Sequence, residues 1–124
     1  MVVASSSTWG NPQGLELATT MLSAVTGWDF TREEILEFGE RMLNYERVFA
    51  VRHGLTPEDD YSVSKRLIEG QKDGPFANRP IAPYLKGMVN EYYRLMGWDE
   101  KTGKPWRSTL RRVHLEELIQ DIWA

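Results

Sequence analysis

The sequence predicts an all-α protein: a compact bundle of about four to five helices around one long central helix, residues 31–54, with an irregular loop over 70–83. Three observations predict it. Apolar residues recur at three- and four-residue steps in successive stretches, Gly and Pro punctuate the ends of those stretches, and no segment alternates apolar and polar residues over strand length between turn signals. A chain of 124 residues, 41% of them hydrophobic, is long enough for one core and short for two. The expectation is an irregular lead-in over residues 1–14 and a single helical domain over 15–124.

In the polar lead-in, Trp9 is the one large aromatic and is expected to anchor onto a surface groove. Leu15, Ala18, Met21, Leu22 and Val25 then mark a short amphipathic helix that stops at Gly27. Trp28, Asp29 and Phe30 form a corner, with Trp28 expected in the core. The long helix follows. Thr31 and Glu34 have the spacing of a capping box, Phe30 can staple onto Ile35, and Arg52, His53 and Gly54 suit a helix end. One stripe carries Ile35, Phe38, Met42, Tyr45 and Phe49 and a second carries Leu36, Gly39, Leu43 and Ala50, an apolar arc of about half the circumference. That width predicts a helix contacted from two sides. Gly39 costs about 1 kcal/mol relative to Ala in mid-helix, which predicts a second backbone crossing close by. The opposite face is charged, and Glu40, Asn44 and Arg47 stack on one line of it. Its ordinary reading is a solvated surface; the sharper reading is a domain interface at those three residues.

Thr56, Pro57 and Glu58 predict a capped single turn, and Ser62 to Glu69 a short helix whose start Asp59 and Asp60 would serve as caps and dipole partners. Residues 70–83, with Gly74, Pro75, Pro80 and Pro83, predict a surface loop. Tyr84 to Met96 is the next helix, with Leu85, Met88, Val89, Tyr92 and Leu95 as its inward stripe and Gly97 as its stop. A turn built on Asp99 and Gly103 leads to a last helix, Thr109 to Trp123, capped by Ser108 and turning Leu110, Val113, Leu118, Ile119 and Ile122 inward. The strings Gly27-Trp28-Asp29 and Gly97-Trp98-Asp99 each follow a helix and read as a shared exit device.

A net charge of −3 argues against nucleic-acid binding, and no apolar run reaches membrane-spanning length. A soluble, cytoplasmic protein is the expectation. The chain has no cysteine, so it offers no thiolate for a metal, an iron-sulfur cluster or a nucleophile. His53 and His114 stand in no zinc-binding spacing, and no phosphate loop or serine elbow is present. His53 reads as support for a helix end. An acid-base site using carboxylates or His53 has no support from spacing.

Several of these residues do carry a resemblance. Gly27-Trp28-Asp29, Gly39-Glu40-Arg41, Asn44, Glu46-Arg47, Phe49, Arg52, Gly54, Asp59-Asp60, Lys65-Arg66-Leu67, Asp73-Gly74-Pro75 and Glu91-Tyr92-Tyr93 through Gly97-Trp98-Asp99 follow in one order over Leu22 to Glu100. In this they resemble the C-terminal part of the tungsten-containing aldehyde:ferredoxin oxidoreductases. Ala50 and His53 depart from the family pattern, as do the last 20 or so residues. The resemblance implies a parent enzyme that oxidises aldehydes to carboxylates with a tungsten bis-pterin and passes electrons through a four-iron cluster to ferredoxin. The cluster cysteines and the pterin-contacting motif lie upstream of the region resembled, so no catalytic, cofactor-binding or metal residue is assigned here. The expected role is a structural C-terminal helical domain, inactive alone, whose partners are the cofactor-binding domains of the parent enzyme in cis or in trans. The alternative is a stand-alone helical interaction module.

Overall fold

Seven α-helices and one 3-10 turn follow one another in the computed structural model, which describes residues 12–75 and 77–123 apart from the side chains of Pro12 and Leu67. They are α1 Pro12–Thr26, α2 Arg32–Arg52, α3 Pro57–Tyr61, α4 Lys65–Ile68, α5 Ala82–Met96, α6 Arg107–Arg112, the 3-10 turn Glu116–Leu118, and α7 Ile119–Ile122. Among the described residues there is no strand, only isolated bridges at Gln71–Ala77 and Trp98–Pro105. The all-α class is as predicted. Trp9 and most of the lead-in lie outside the described residues, and α1 begins three residues before Leu15. The chain divides into two compact units, Met1–Met42 and Leu43–Ala124, with α2 running through the boundary.

In the first unit, α1 ends where Gly27, at φ 74°, donates its N–H to Ser23 O at 2.9 Å. The corner is pinned by the Phe30 N–H donating to Ser23 Oγ at 3.1 Å. The predicted capping box forms: Glu34 Oε2 accepts from both the N–H and the hydroxyl of Thr31 at 2.8 Å, and the Glu34 N–H donates to Thr31 Oγ1 at 3.2 Å. These bonds hold the Glu34 carboxyl below its ordinary value. Trp28 is not in a core. It is 68% exposed, touching Phe30 at 5.9 Å between ring centroids, because a unit of two helical segments has too little of itself to cover two corner aromatics. Nor, among the described residues, does a backbone cross Gly39, where an added Cβ would meet nothing within 4 Å. Leu36, Phe38 and Met42 are exposed.

The second unit holds the core: Val48, Leu110, Val113, Leu115, Ile119 and Ile122, with Val51, Leu118 and Trp123 packed against it. The face α2 buries here carries Asn44, Arg47 and Val48, while Leu43, Tyr45 and Phe49 of the expected apolar stripes stay exposed. The two-sided greasy rod is therefore corrected. Helix positions 44, 47, 48 and 51 share one face, and the C-terminal segment settles there because Val48 and Val51 supply apolar surface while Asn44 and Arg47 meet polar partners.

The last helix is also broken. Arg107 starts α6 with Trp106 as N-cap, and α6 stops at Arg112. His114 then takes φ 56°, and the Leu115 N–H donates back to Leu110 O at 2.8 Å. In an unbroken helix Leu115 would lie about 140° around the axis from Leu110; the break turns both toward Val48, and Leu115 is buried. The helix expected over 62–69 shrinks to α4, since α3 ends by the Ser62 N–H donating to Asp59 O at 3.1 Å.

In α5 the residue most buried is Tyr93, whereas Met88, Tyr92 and Leu95 of the expected inward stripe are exposed. The helix ends at Gly97, φ 69°, with the Trp98 N–H donating to Tyr93 O at 2.8 Å. The predicted turn follows: the Asp99 N–H donates to Lys104 O at 2.8 Å, Gly103 at φ 68° donates to Asp99 O at 2.7 Å, and Thr102 Oγ1 donates to Asp99 Oδ2 at 2.6 Å.

Candidate functional site

Inside the second unit, α2, α3, α5 and the 98–105 turn meet at one guanidinium. Arg47 is 7% exposed, and each of its three nitrogens has a partner. Its Nε donates to Gly103 O at 2.8 Å, one terminal nitrogen pairs with Asp60 Oδ2 at 2.7 Å, and the other donates to the Tyr93 hydroxyl at 2.7 Å. The planar group lies over the rings of Trp98 and Tyr93, at 4.7 and 5.0 Å from their centroids. A planar fork with five donors suits three acceptors in different directions, which an ammonium cannot match.

Tyr93 closes the triangle by donating its own O–H to Asp60 Oδ2. Burial pushes the Tyr93 phenol up to about 12, helped by the bond to Asp60 and opposed by the charge of Arg47. It is a neutral hydroxyl at physiological pH and no candidate base. Tyr92 is raised for the same first reason, burial. One turn earlier on α2, the side chain of Asn44 is fully buried and accepts from Trp98 Nε1 at 2.9 Å. Trp98 is packed edge-on against Tyr92 at 5.5 Å and tilted against Tyr93 at 5.6 Å.

A cavity of about 270 Å³ opens over this hub, lined by Arg47, Asp60, Leu85, Met88, Tyr92 and Trp98 among others. Asp60 is the hub's most solvent-facing charge, at 28% exposed. Its neighbour Asp59 does different work. Asp59 Oδ2 accepts from the Thr56 N–H and hydroxyl, both at 2.8 Å, so it caps α3 and not the helix after it; these bonds lower its pKa.

Of the three residues read as a possible domain interface, Asn44 and Arg47 are thus consumed within the second unit by Trp98, Tyr93, Asp60 and Gly103. Glu40, half-buried, lies on the other side of the unit boundary. The spacing argument missed Asp60 as the partner of Arg47, and missed Tyr93 and Trp98 as its walls. One signal was available: a charged residue and an amide on a face otherwise completed by Val48 and Val51. His53 supports the helix end as expected, its Nδ1 lying 2.7 Å from Phe49 O and its ring 4.2 Å from that of Phe49.

Thiolate ligation of an iron-sulfur cluster lies outside the donor set of this chain. The chain has no thiol. Among the described residues no three His, Asp or Glu side chains gather to hold a metal, and no buried side-chain nitrogen or oxygen is left without a partner. No helix among them is long and apolar enough to cross a membrane.

A family model described as aldehyde ferredoxin oxidoreductase, domains 2 and 3, matches residues 2–115. The chain is 41% identical over 100 residues to the tungsten-containing aldehyde ferredoxin oxidoreductase of Pyrococcus abyssi, a match covering 80% of this chain and 16% of the relative. It is 40% identical over 98 residues to that of Pyrococcus furiosus, covering 78% and 16%, and 43% identical over 81 residues to that of Thermococcus kodakarensis, covering 64% and 13%. The chain thus spans about a sixth of the length of these relatives. No solved structure matches it significantly.

Proposed function

Since the chain belongs to the aldehyde ferredoxin oxidoreductase family, we propose that it is a non-catalytic C-terminal helical domain of such an enzyme. It braces the segments that hold the cofactors and supplies no cofactor ligand itself. In the whole enzyme those segments would carry a tungsten bis-pterin and a four-iron cluster, oxidise an aldehyde to the carboxylate, and pass electrons to ferredoxin. The chain's own part is mechanical. Arg47 fixes the relative positions of α2, α3, α5 and the 98–105 turn, each of its three nitrogens bonding to a group of this chain.

One observation carries this reading: among the described residues no buried side-chain nitrogen or oxygen lacks a partner, while large apolar side chains stay uncovered, among them Phe49, Tyr84, Met88 and Leu95. A free-standing protein gains by burying such surface, and a domain of a larger enzyme leaves it for its neighbours. The alternative, a stand-alone module self-associating through Glu40, Asn44 and Arg47, is disfavoured by the burial of Asn44 and Arg47. The test is aldehyde-dependent dye reduction by the purified chain with tungsten, pterin, iron and sulfide supplied. No turnover is expected, and sustained turnover overturns the proposal.

A further inference from the structure

Gly103 O, the acceptor of Arg47 Nε, belongs to a turn whose outgoing arm is gripped by the last described residues. Four consecutive residues of that arm each bond to, or stack on, Ile122 or Trp123. Lys104 Nζ donates to Ile122 O at 2.7 Å and stands 5.3 Å from the centre of the Trp123 ring. Pro105 O accepts from Trp123 Nε1 at 2.7 Å, and Trp106 stacks on Trp123 with ring centroids 5.5 Å apart and planes 11° from parallel. Arg107 donates to Trp123 O at 2.5 Å. On the side facing α2, Arg52 pairs with Asp121 at 3.0 Å. The last carbonyls of a helix have no partner inside it, and cations are favoured at that end, so Lys104 and Arg107 complete α7 while α7 holds their backbone in place. Ile119 and Ile122 fasten the same segment into the core. The family model's match ends at residue 115, so the whole of this segment lies beyond it.

We propose that residues 116–123 are a clasp on the 103–107 arm, and that closure of this clasp keeps the Gly103 carbonyl on Arg47. With the clasp open, the turn loses its outer support and Arg47 Nε loses its acceptor. The bonds of Arg47 to Asp60 and to the Tyr93 hydroxyl involve neither the arm nor the clasp, so α2, α3 and α5 stay joined. The hub therefore has a part that is fixed, made by the three helices, and a part that is conditional, made by the turn. Trp123 is the key of the device, because its indole N–H, its ring and its carbonyl each hold a different residue of the arm. The clasp acts within this chain and is independent of any parent enzyme.

Hydrogen exchange read by NMR on the full chain tests this, comparing the unsubstituted protein with Trp123→Ala, Trp123→Phe and Lys104→Met. In Trp123→Ala the Arg47 Nε–H and the backbone N–H groups of Asp99 and Trp106, which donate to Gly103 O, Lys104 O and Gly97 O, exchange roughly tenfold to a hundredfold faster, the scale of a lost indole bond with its stack. The amide of Val89, in the middle of α5, changes by less than about threefold. Trp123→Phe keeps a ring for the stack and drops the indole N–H, so its rates fall between. Lys104→Met leaves Trp123 and the apolar core in place and shows the same pattern at smaller size, which keeps the test decisive should Trp123→Ala fail to fold. Equal acceleration at Arg47 Nε–H and at Val89 would make the segment a general contributor to stability and overturn the proposal. An unchanged rate at Arg47 Nε–H in Lys104→Met and Trp123→Phe would show the hub to be indifferent to the segment and overturn it as well.

Discussion

Replacing Arg47 by alanine removes the contacts that join four elements, and their size can be worked from the geometry. The substitution deletes an ion pair at 2.7 Å, hydrogen bonds to Gly103 O and to the Tyr93 hydroxyl, and the stacking over Trp98 and Tyr93. It leaves Asp60 without its counter-charge and the buried Gly103 carbonyl without that donor. Truncating one partner of a buried pair costs about 3–5 kcal/mol, and a desolvated cation–π contact adds about 1–2. Asp60 retains contact with water, which pulls the first figure toward its lower end. The expected loss is about 4 kcal/mol. With a urea slope near 1.5 kcal/mol per molar, the midpoint should fall by roughly 2.7 M, read by tryptophan fluorescence. Arg47→Lys, which keeps the charge and loses the fork, should recover only part of this. Arg47→Ala combined with Asp60→Ala should cost less than the two single changes summed, because the double variant strands no charge. A loss under about 1 kcal/mol for Arg47→Ala, or simple additivity with Asp60→Ala, would refute the view of Arg47 as the hub.

Three further outcomes are expected. Asn44→Leu removes the acceptor of the Trp98 indole N–H at 2.9 Å and should cost about 2 kcal/mol in the same assay, the scale of a stranded buried donor. Gly103→Ala should destabilise far more than Gly27→Ala: both sit at positive φ, but a Cβ at Gly103 would fall 2.1 Å from an Arg47 nitrogen, whereas at Gly27 it meets nothing. The cost at Gly27 should be the backbone strain alone, about 1–2 kcal/mol. Alkali should destabilise the second unit through Tyr93. Its phenol is raised to about 12 when folded, so between the ordinary tyrosine value of about 10 and that point the folded state holds a proton the unfolded state has released. The corresponding stability is present in full below about pH 10 and is lost as pH rises to 12, on the order of 3 kcal/mol in all; urea midpoints across that range measure it, and Tyr93→Phe should flatten the slope.

Several local signals read true, although the predicted Ser108 cap did not form, Trp106 taking that place. The Thr31–Glu34 capping box, the stops at Gly27 and Gly97, and the Asp99–Gly103 turn depend on residues within a few positions of one another, and each forms as spacing predicts. Which face of α2 turns inward did not follow from its apolar pattern. Tyr45 and Phe49 look like core and are exposed, while Asn44 and Arg47 look like surface and are buried, because their partners Trp98, Tyr93 and Gly103 lie 46 to 56 residues away. The apolar stripes read as the core of this chain, yet Leu36, Phe38, Met42, Leu43, Tyr45 and Phe49 stay exposed. The break at His114 was hidden for a related reason: an Arg-Arg-Val-His-Leu run reads as helix, and only the position of Val48 makes turning Leu115 inward worthwhile.

Tungsten content per polypeptide in the Pyrococcus furiosus enzyme, with its matched segment replaced by this chain, weighs most directly on the account. A bracing domain predicts that the hybrid holds tungsten and oxidises aldehydes, while the chain alone does neither. A hybrid that folds without tungsten, or tungsten retained by the chain on its own, would contradict it.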